Sequence, residues 1–473
     1  QDNPYWLLDE FPRMRFDTAD RAAYLMGMEK DSFFRIEAAI KHRLSAHINR
    51  GHTFVPAREF CLQTGEMLDL SSESVQDVME DMALSGDLQL TVLDGREVVY
   101  FYGYYKTECL VAGKISELNE KKPKPIAANM DAVIKKAESD KNLILSEQQR
   151  EAIKKSLAHS VSIITGGPGT GKTTIINVLI KILEEGGLKV AVAAPTGRAA
   201  KRITQTSGKA ALTIHRLLDY YYDEEQSRMV FGRNAENPLD YDAVIIDEAS
   251  MMDLMLAGVL CRALKPESRL IITGDADQLP SVGAGNVLGD LIDSGYVYTS
   301  RLTEIFRQSQ ESSIIVNAHL IRKGQYPVYG GDFEIVRADK QADMLEQIVR
   351  LASSMDLDRV QVLTPVKKGI LGSGNLNVKL QEKFNPAQTG REQIEFGNTV
   401  FRTGDRVMQI KNNYRLEYKK QDGTSGKGVF NGETGIVAAV HSQEQRLTVC
   451  YDGERWVEYE YIHLDEIELA YAV

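Results

Sequence analysis

Val161-Ser162-Ile163-Ile164-Thr165 runs directly into Gly166-Gly167-Pro168-Gly169-Thr170-Gly171-Lys172-Thr173-Thr174 and then into the helix-forming run Ile175 to Leu183. A short apolar strand, a glycine-rich loop and a helix are together the context of a phosphate-binding loop. The residue types follow from the chemistry. Glycines let backbone N–H groups wrap phosphate oxygens, the helix N-terminus adds partial positive charge, and Lys172 reaches the β and γ oxygens. The hydroxyl of Thr173 suits Mg²⁺. The expected cofactors are therefore ATP and Mg²⁺, with Gly166, Gly167, Pro168, Gly169, Thr170, Gly171, Lys172, Thr173 and Thr174 around the nucleotide.

Working outward, three more short, nearly all-apolar strands are read at Val190–Ala194, Val244–Ile246 and Leu270–Thr273, separated by helical segments. Strands apolar on both faces belong to a parallel sheet covered by helices. The strand at Val244 ends in Asp247-Glu248. At the sheet's C-terminal edge Asp247 is the candidate metal-shell ligand and Glu248 the candidate general base for an attacking water. The strand at Leu270 ends in Gly274-Asp275-Ala276-Asp277-Gln278-Leu279-Pro280, which brings Gln278 to the same edge as a candidate γ-phosphate sensor. The strand at Val190 ends in Pro195-Thr196-Gly197-Arg198-Ala199-Ala200-Lys201-Arg202, where hydroxyl, backbone N–H and cationic groups suit nucleic-acid phosphates; a solvated basic helix is the plain alternative.

The rest of the chain sets the organisation. With 473 residues, 43% of them hydrophobic, it is long enough for about three or four domains. From residue 17 to 84 the spacing is helical, with Asp17 and Thr18 as candidate caps for a helix Ala19–Met28, and Ser71 and Ser72 before Val75–Leu84. Two β-rich runs follow across Asp94-Gly95, a tight-turn pair. Residues 1–116 are thus read as a helical, winged-helix-like domain, serving either DNA or packing alone. A linker is placed at 117–130, around Lys121-Lys122-Pro123-Lys124-Pro125, and an α/β motor domain at 131–296 with a hairpin inserted at about 220–240. A second, incomplete α/β unit is expected at 297–396, including a strand Val360–Thr364. A small β-barrel is expected at 397–466, its strands joined by Asn431-Gly432 and Asp452-Gly453 turns, and a return strand into the second α/β unit at 467–473.

The formal charge of −11 does not announce a nucleic-acid binder, although a local basic channel is compatible with acidic outer faces. Cys61, Cys109, Cys261 and Cys450 are too dispersed for a zinc site or a disulfide framework and read as reduced, mostly buried thiols. No apolar run reaches the length of a membrane span, so no membrane association and a cytoplasmic location are expected.

Taken together, these strand ends resemble the motor core of superfamily 1 helicases, and the chain is similar to the RecD-like DNA helicases. The resemblance is carried by Leu145-Ser146-Glu147-Gln148-Gln149-Arg150, the phosphate loop, Ala194 to Arg202, Thr213-Ile214-His215-Arg216, the blocks at Asp247 and Gly274, and Leu302-Thr303-Glu304-Ile305-Phe306-Arg307-Gln308. It continues through Val362-Leu363-Thr364-Pro365, Gly404-Asp405-Arg406-Val407-Met408-Gln409 and Phe430-Asn431-Gly432-Glu433.

The resemblance implies a P-loop, RecA-like α/β fold and an SH3-like identity for the barrel. It further implies that Gln149 reads the adenine and that Arg307 reaches the γ-phosphate from the second motor domain. Pro195, Thr196, Arg198, His215, Thr364 and Pro365 would line a single-strand path. Movement 5′ to 3′ and duplex splitting by the hairpin at 220–240 are implied in the same way. The partners would be single-stranded DNA and single/double-strand junctions, with a protein partner as the other use of the barrel or the N-terminal domain. Two blocks such helicases carry after the barrel are not found before Val473, and both ends look cut. A non-hydrolysing ATP-gated DNA clamp or adaptor is accordingly the alternative to the helicase, and an ATPase acting on protein is a third reading.

Overall fold

In the computed structural model, residues 3–11, 14–126, 129–223, 228–304 and 312–473 are described. The chain divides into two units. One comprises residues 1–195, 206–220 and 231–306; the other comprises 196–205, 221–230 and 307–473.

The first unit is organised by a six-stranded sheet. In spatial order the strands are Tyr298–Leu302, Val161–Gly166, Arg269–Gly274, Ala243–Ile246, Val190–Ala194 and Leu212–Thr213, and every pairing is parallel. All residues of Val161–Gly166 and Arg269–Gly274 are buried, as a sheet covered on both faces requires. The helix Lys172–Glu185 buries Ile175, Ile176, Val178, Leu179, Ile182 and Leu183, so a single helix satisfies the apolar run after the glycine loop. After Gly166 the chain crosses to Val190–Ala194, three places away, and later returns to fill the gap. In open parallel sheets such a reversal of strand order marks the C-terminal strand ends as the place where ligands bind.

Upstream, helix Phe33–Ile48, strand Phe54–Pro56, helices Ala57–Leu68 and Ser72–Leu84 and the hairpin Leu88–Leu93/Arg96–Phe101 build a winged-helix arrangement. Its three strands are antiparallel, with Arg96–Phe101 central. The expected turn at Asp94-Gly95 is present with φ of 49° and 74°, the left-handed pair that matches hairpin twist. Ser71 caps the helix Ser72–Leu84 by accepting from Ser74 N. The helix expected at Ala19–Met28 instead spans Phe16–Leu25, and Asp17 lies within its first turn beside Arg15 rather than capping it. Phe16 is itself a core residue, which draws the helix start forward.

The helix Tyr102–Glu120 runs four residues into the expected linker because Ile115 and Leu118 pack into the core beneath the parallel sheet. The irregular segment after it is fastened by buried Arg269, whose Nη2 donates to Lys124 O and whose Nη1 donates to Leu157 O at 2.6 Å. Tyr220–Asp223 and Arg228–Phe231 pair as the expected inserted hairpin; residues 224–227 lie outside the described ones.

The second unit centres on a seven-stranded sheet ordered Ser425–Val429, Asn413–Lys420, Arg455–Glu460, Arg446–Tyr451, Thr434–His441, Arg406–Gln409, Ile467–Leu469, with antiparallel pairings throughout. Alternate residues of Arg446–Tyr451 are buried, the signature of a one-sided core. Ile467–Leu469 belongs to this sheet rather than to a return strand. Only Ala472 bridges to Val362 in parallel, with Thr364 N on Val473 O at 2.9 Å. The strand expected at Val360–Thr364 is reduced to that bridge, and Leu363 stays largely exposed.

A fully buried carboxylate, Asp405, joins three parts of this unit. It accepts from Gln381 and Asn385 at the end of helix Ser373–Phe384, from Arg402 N at the end of the strand Thr399–Arg402, which pairs with Gln393–Phe396 in a separate two-stranded sheet, and from the Tyr471 hydroxyl, at 2.5 to 2.9 Å. All four cysteines are free thiols; Cys61 and Cys261 are buried, whereas Cys109 is exposed. Among the described residues no helix is long and apolar enough to cross a membrane.

Candidate functional site

The phosphate-loop residues lie where the strand order predicts. Gly166 ends its strand so tightly that an added Cβ would lie 2.9 Å from Leu302 Cβ, Leu302 O and Thr170 Oγ1. Gly169 and Gly171 take φ of 78° and 80°, which turns the backbone into the helix that begins at Lys172. Thr170 Oγ1 donates to Gly167 O at 2.8 Å and closes the loop on itself. Lys172 Nζ donates to Gly166 O, and to Gly167 O at 3.3 Å, which places the ammonium within the loop's curve. Thr173 and Thr174 follow in the first helical turn, half-buried.

Gln149 is almost fully buried. Its backbone and side chain complete a capping box with Ser146, and its Nε2 donates to Thr170 O at 3.3 Å. The residue that the resemblance assigns to adenine is thus engaged in bracing the phosphate loop.

Asp247 is buried one step beyond its strand. Its N–H donates to Ala193 O at 2.9 Å, and Thr273 Oγ1 donates to its Oδ1. Glu248 follows at φ 53°, a left-handed conformation that a non-glycine residue adopts at a cost of about 1 kcal/mol or more. Buried Asp275 holds the next loop by accepting from Asp277 N at 3.1 Å, while Ala276 N donates to Thr165 Oγ1 at 3.2 Å. Gln278 stands in the exposed part of that loop, its N–H on Asp275 O. Lys172, Asp247, Glu248 and Gln278 therefore come from three adjacent strand ends on one edge.

The oxygen donors Thr173 and Asp247 match a hard cation that keeps waters and phosphate oxygens in its shell. Among the described residues no cluster of three or more His, Cys, Asp or Glu offers an all-protein cage. The donor set thus fits Mg²⁺ carried with a nucleotide.

The nucleic-acid candidates are more dispersed. In the first unit Pro195 ends its strand half-buried, and the His215 ring sits 5.4 Å from Tyr220 and 5.9 Å from Phe231 at the base of the hairpin. Burial pulls the His215 imidazole below its usual pKa, only partly opposed by Asp253. In the second unit Thr196 Oγ1 accepts from Ala199 N at 3.3 Å, and Arg198 is exposed. Thr364 Oγ1 donates to Leu371 O at 2.8 Å, and Pro365 is exposed. Arg198, Lys201, Arg202 and Arg406 line a cavity of about 470 Å³ together with Glu433 and Asp452. Lys201 pairs with Asp452 at 2.6 Å, and Arg455 bridges Asp452 and Glu433 at 3.0 and 2.9 Å. Burial raises the Glu433 carboxyl despite Arg455; burial also acts on Asp452, but Lys201 and Arg455 hold it below the usual carboxylate value. Arg307 lies outside the described residues.

Sequence reasoning missed Thr165 and Thr273, whose hydroxyls tie the loop that follows Gly274 and the Asp247 carboxylate. The available signal was a hydroxyl residue at the C-terminal end of an otherwise largely apolar strand.

Three family models match the chain: one described as an AAA domain over residues 149–284, one as the ATP-dependent RecD-like DNA helicase SH3 domain over 376–451, and one as the ATP-dependent RecD2 DNA helicase HHH domain over 1–54. The last identifies a module at the N-terminus that the sequence reading had merged into a winged-helix-like domain. The ATP-dependent RecD2 DNA helicase of Deinococcus radiodurans is 33% identical over 98% of this chain and 63% of its own length. The RecBCD enzyme subunit RecD of Mycolicibacterium smegmatis is 29% identical over 62% of this chain and 57% of its own length. The chain thus spans about three fifths of the length of these curated relatives.

Proposed function

We propose that this chain is a RecD2-like helicase that hydrolyses ATP with Mg²⁺ at the edge of its parallel sheet to move along single-stranded DNA and unwind duplex 5′ to 3′; the reading is supported by its similarity to the ATP-dependent RecD2 DNA helicase of Deinococcus radiodurans. The observation that carries the reading is the convergence of Lys172, Asp247, Glu248 and Gln278 on three adjacent strand ends.

In this reading the N–H groups of Gly167 to Lys172 and the Lys172 ammonium hold the β- and γ-phosphates. Thr173 and Asp247 hold Mg²⁺, which when bound draws charge from the phosphate oxygens. Glu248 accepts the proton of the attacking water, Gln278 senses the γ-phosphate, and Arg307 neutralises charge on the transferring group. Gln149 keeps the loop in shape and is the proposed adenine contact. The DNA strand runs past Pro195, Thr196, Arg198, His215, Thr364 and Pro365, contacted through phosphates and stacking, with strong salt dependence and little sequence preference. The hairpin at 220–231 is the proposed duplex splitter. The barrel closes over the strand, with a protein partner as its other use. The proposed place of action is the cytoplasm.

The test is strand displacement by the full protein on duplexes with a 5′ or a 3′ single-stranded tail. ATP-dependent unwinding of the 5′-tailed duplex alone is expected. Unwinding only from 3′ tails overturns the direction, and ATP turnover indifferent to DNA overturns the DNA motor.

A further inference from the structure

The carboxylate at the sheet edge is held by a side chain that no motif contains. Thr273 is fully buried on the strand beside that of Asp247, and its Oγ1 donates to Asp247 Oδ1 at 2.5 Å. The two strands pair in parallel up to Ile272 and Ile246, so Thr273 and Asp247 are the next residues on each. The preceding strand residues, Ile271 and Ile272, have no side-chain donor. Asp247's backbone is fixed separately by Ala193 O, so what Thr273 adds concerns the carboxylate alone.

A carboxylate turns readily about its last bond, and a cation needs one oxygen in one direction. A β-branched hydroxyl held in a packed strand has little freedom of its own. Its single proton, given to Oδ1, fixes the rotation of the carboxylate and leaves Oδ2 for the metal shell.

We infer that Thr273 is a positioning residue for Asp247, setting the affinity of the site for the divalent cation that accompanies the nucleotide. This rests on the Mg–nucleotide reading of the sheet edge. It predicts that removing the hydroxyl weakens cation binding and leaves metal-free nucleotide binding as it was. Groups that orient metal ligands are typically worth about 10- to 100-fold in metal affinity.

The experiment titrates Mg²⁺ into wild-type protein, Thr273→Val and Thr273→Ser, each with a fluorescent non-hydrolysable ATP analogue, and reads the Mg²⁺ concentration that gives half of the tightening. The expected result is a shift of about tenfold or more to higher Mg²⁺ for Thr273→Val, return to near the wild-type value for Thr273→Ser, and equal analogue affinity for all three without Mg²⁺. A merely structural loss would instead weaken metal-free binding as well, and that outcome overturns the inference. An unshifted or lowered Mg²⁺ midpoint in Thr273→Val overturns it too, while leaving the nucleotide site standing. Wild-type protein that shows no Mg²⁺-dependent tightening removes the underlying reading and the inference with it. Should the valine variant fail to fold, Thr273→Cys, whose thiol is only a weak donor, is judged by the same criterion.

Discussion

The parallel sheet and the barrel differ in where their hydrogen-bonded buried polar side chains lie: in the sheet Thr165, Arg269 and Thr273 bond from the ends of their strands, whereas in the barrel a chain of polar groups runs through the core. Val161–Gly166 and Arg269–Gly274 are buried along their whole length, and the proposed catalytic groups lie in the loops at their C-terminal ends. The barrel takes polar groups inside: Tyr459 donates to Gln409 Oε1 at 2.6 Å, Tyr451 lies 2.8 Å from Tyr459, and Gln409 donates to Glu466 at 3.0 Å. In the sheet a polar side chain at the C-terminal end of a strand is therefore a candidate for function, whereas Arg269 at the opposite end is a fastening. In the barrel a buried polar side chain is first a fastening, because an unmet buried donor or acceptor costs about 1–3 kcal/mol.

Lys172→Ala is the sharpest way to break that comparison. It should lower ATP turnover by about 10²-fold or more, the scale for losing one group that neutralises transition-state charge, while circular dichroism and thermal unfolding stay near wild type. Unchanged turnover in the folded variant would remove Lys172 from the site. Asp405→Ala should do the reverse, lowering stability by about 3 kcal/mol through its orphaned buried donors, with nucleotide affinity retained. Denaturant titration with parallel nucleotide binding measures both.

Tyr451→Phe sharpens the contrast on a smaller scale, removing one hydroxyl from the buried chain for about 1 kcal/mol. A stability loss as large as that of Asp405→Ala would mean that the chain behaves as one cooperative network. The smallest effect concerns His215. Its folded pKa is depressed by burial, so the unfolded state binds the proton more readily, and stability is present above the unfolded value of 6.5 and lost as pH falls below it. Hydrogen exchange near Tyr220 and Phe231 should therefore quicken modestly on acidification from pH 7 to pH 5, and His215→Phe should flatten that response. A response that persists in the variant would locate the titrating group elsewhere.

The same contrast explains what was legible in the sequence. The glycine loop, the strands at Val190 and Val244 and the Asp247-Glu248 turn are local patterns, so the edge was read residue by residue. The hydroxyl of Thr273 acquires meaning only from a partner 26 positions away. Asp405 gathers donors from Gln381 to Tyr471, and no local pattern encodes that set. The helix Phe16–Leu25 began ahead of its apparent caps because Phe16 is a core residue, a tertiary fact. The N-terminal module at 1–54 was hidden for a related reason, since its helices look like any other amphipathic helices.

Whether nucleotide and Mg²⁺ bind at the edge of the parallel sheet is decided by hydrogen exchange with and without Mg²⁺ and a non-hydrolysable ATP analogue. Added protection is expected at Gly166–Thr174 and in the loops after Ile246 and Thr273, with the barrel strands Thr434–His441 and Arg446–Tyr451 unchanged. Protection that appears in the barrel strands and leaves the glycine loop untouched would contradict binding at that edge.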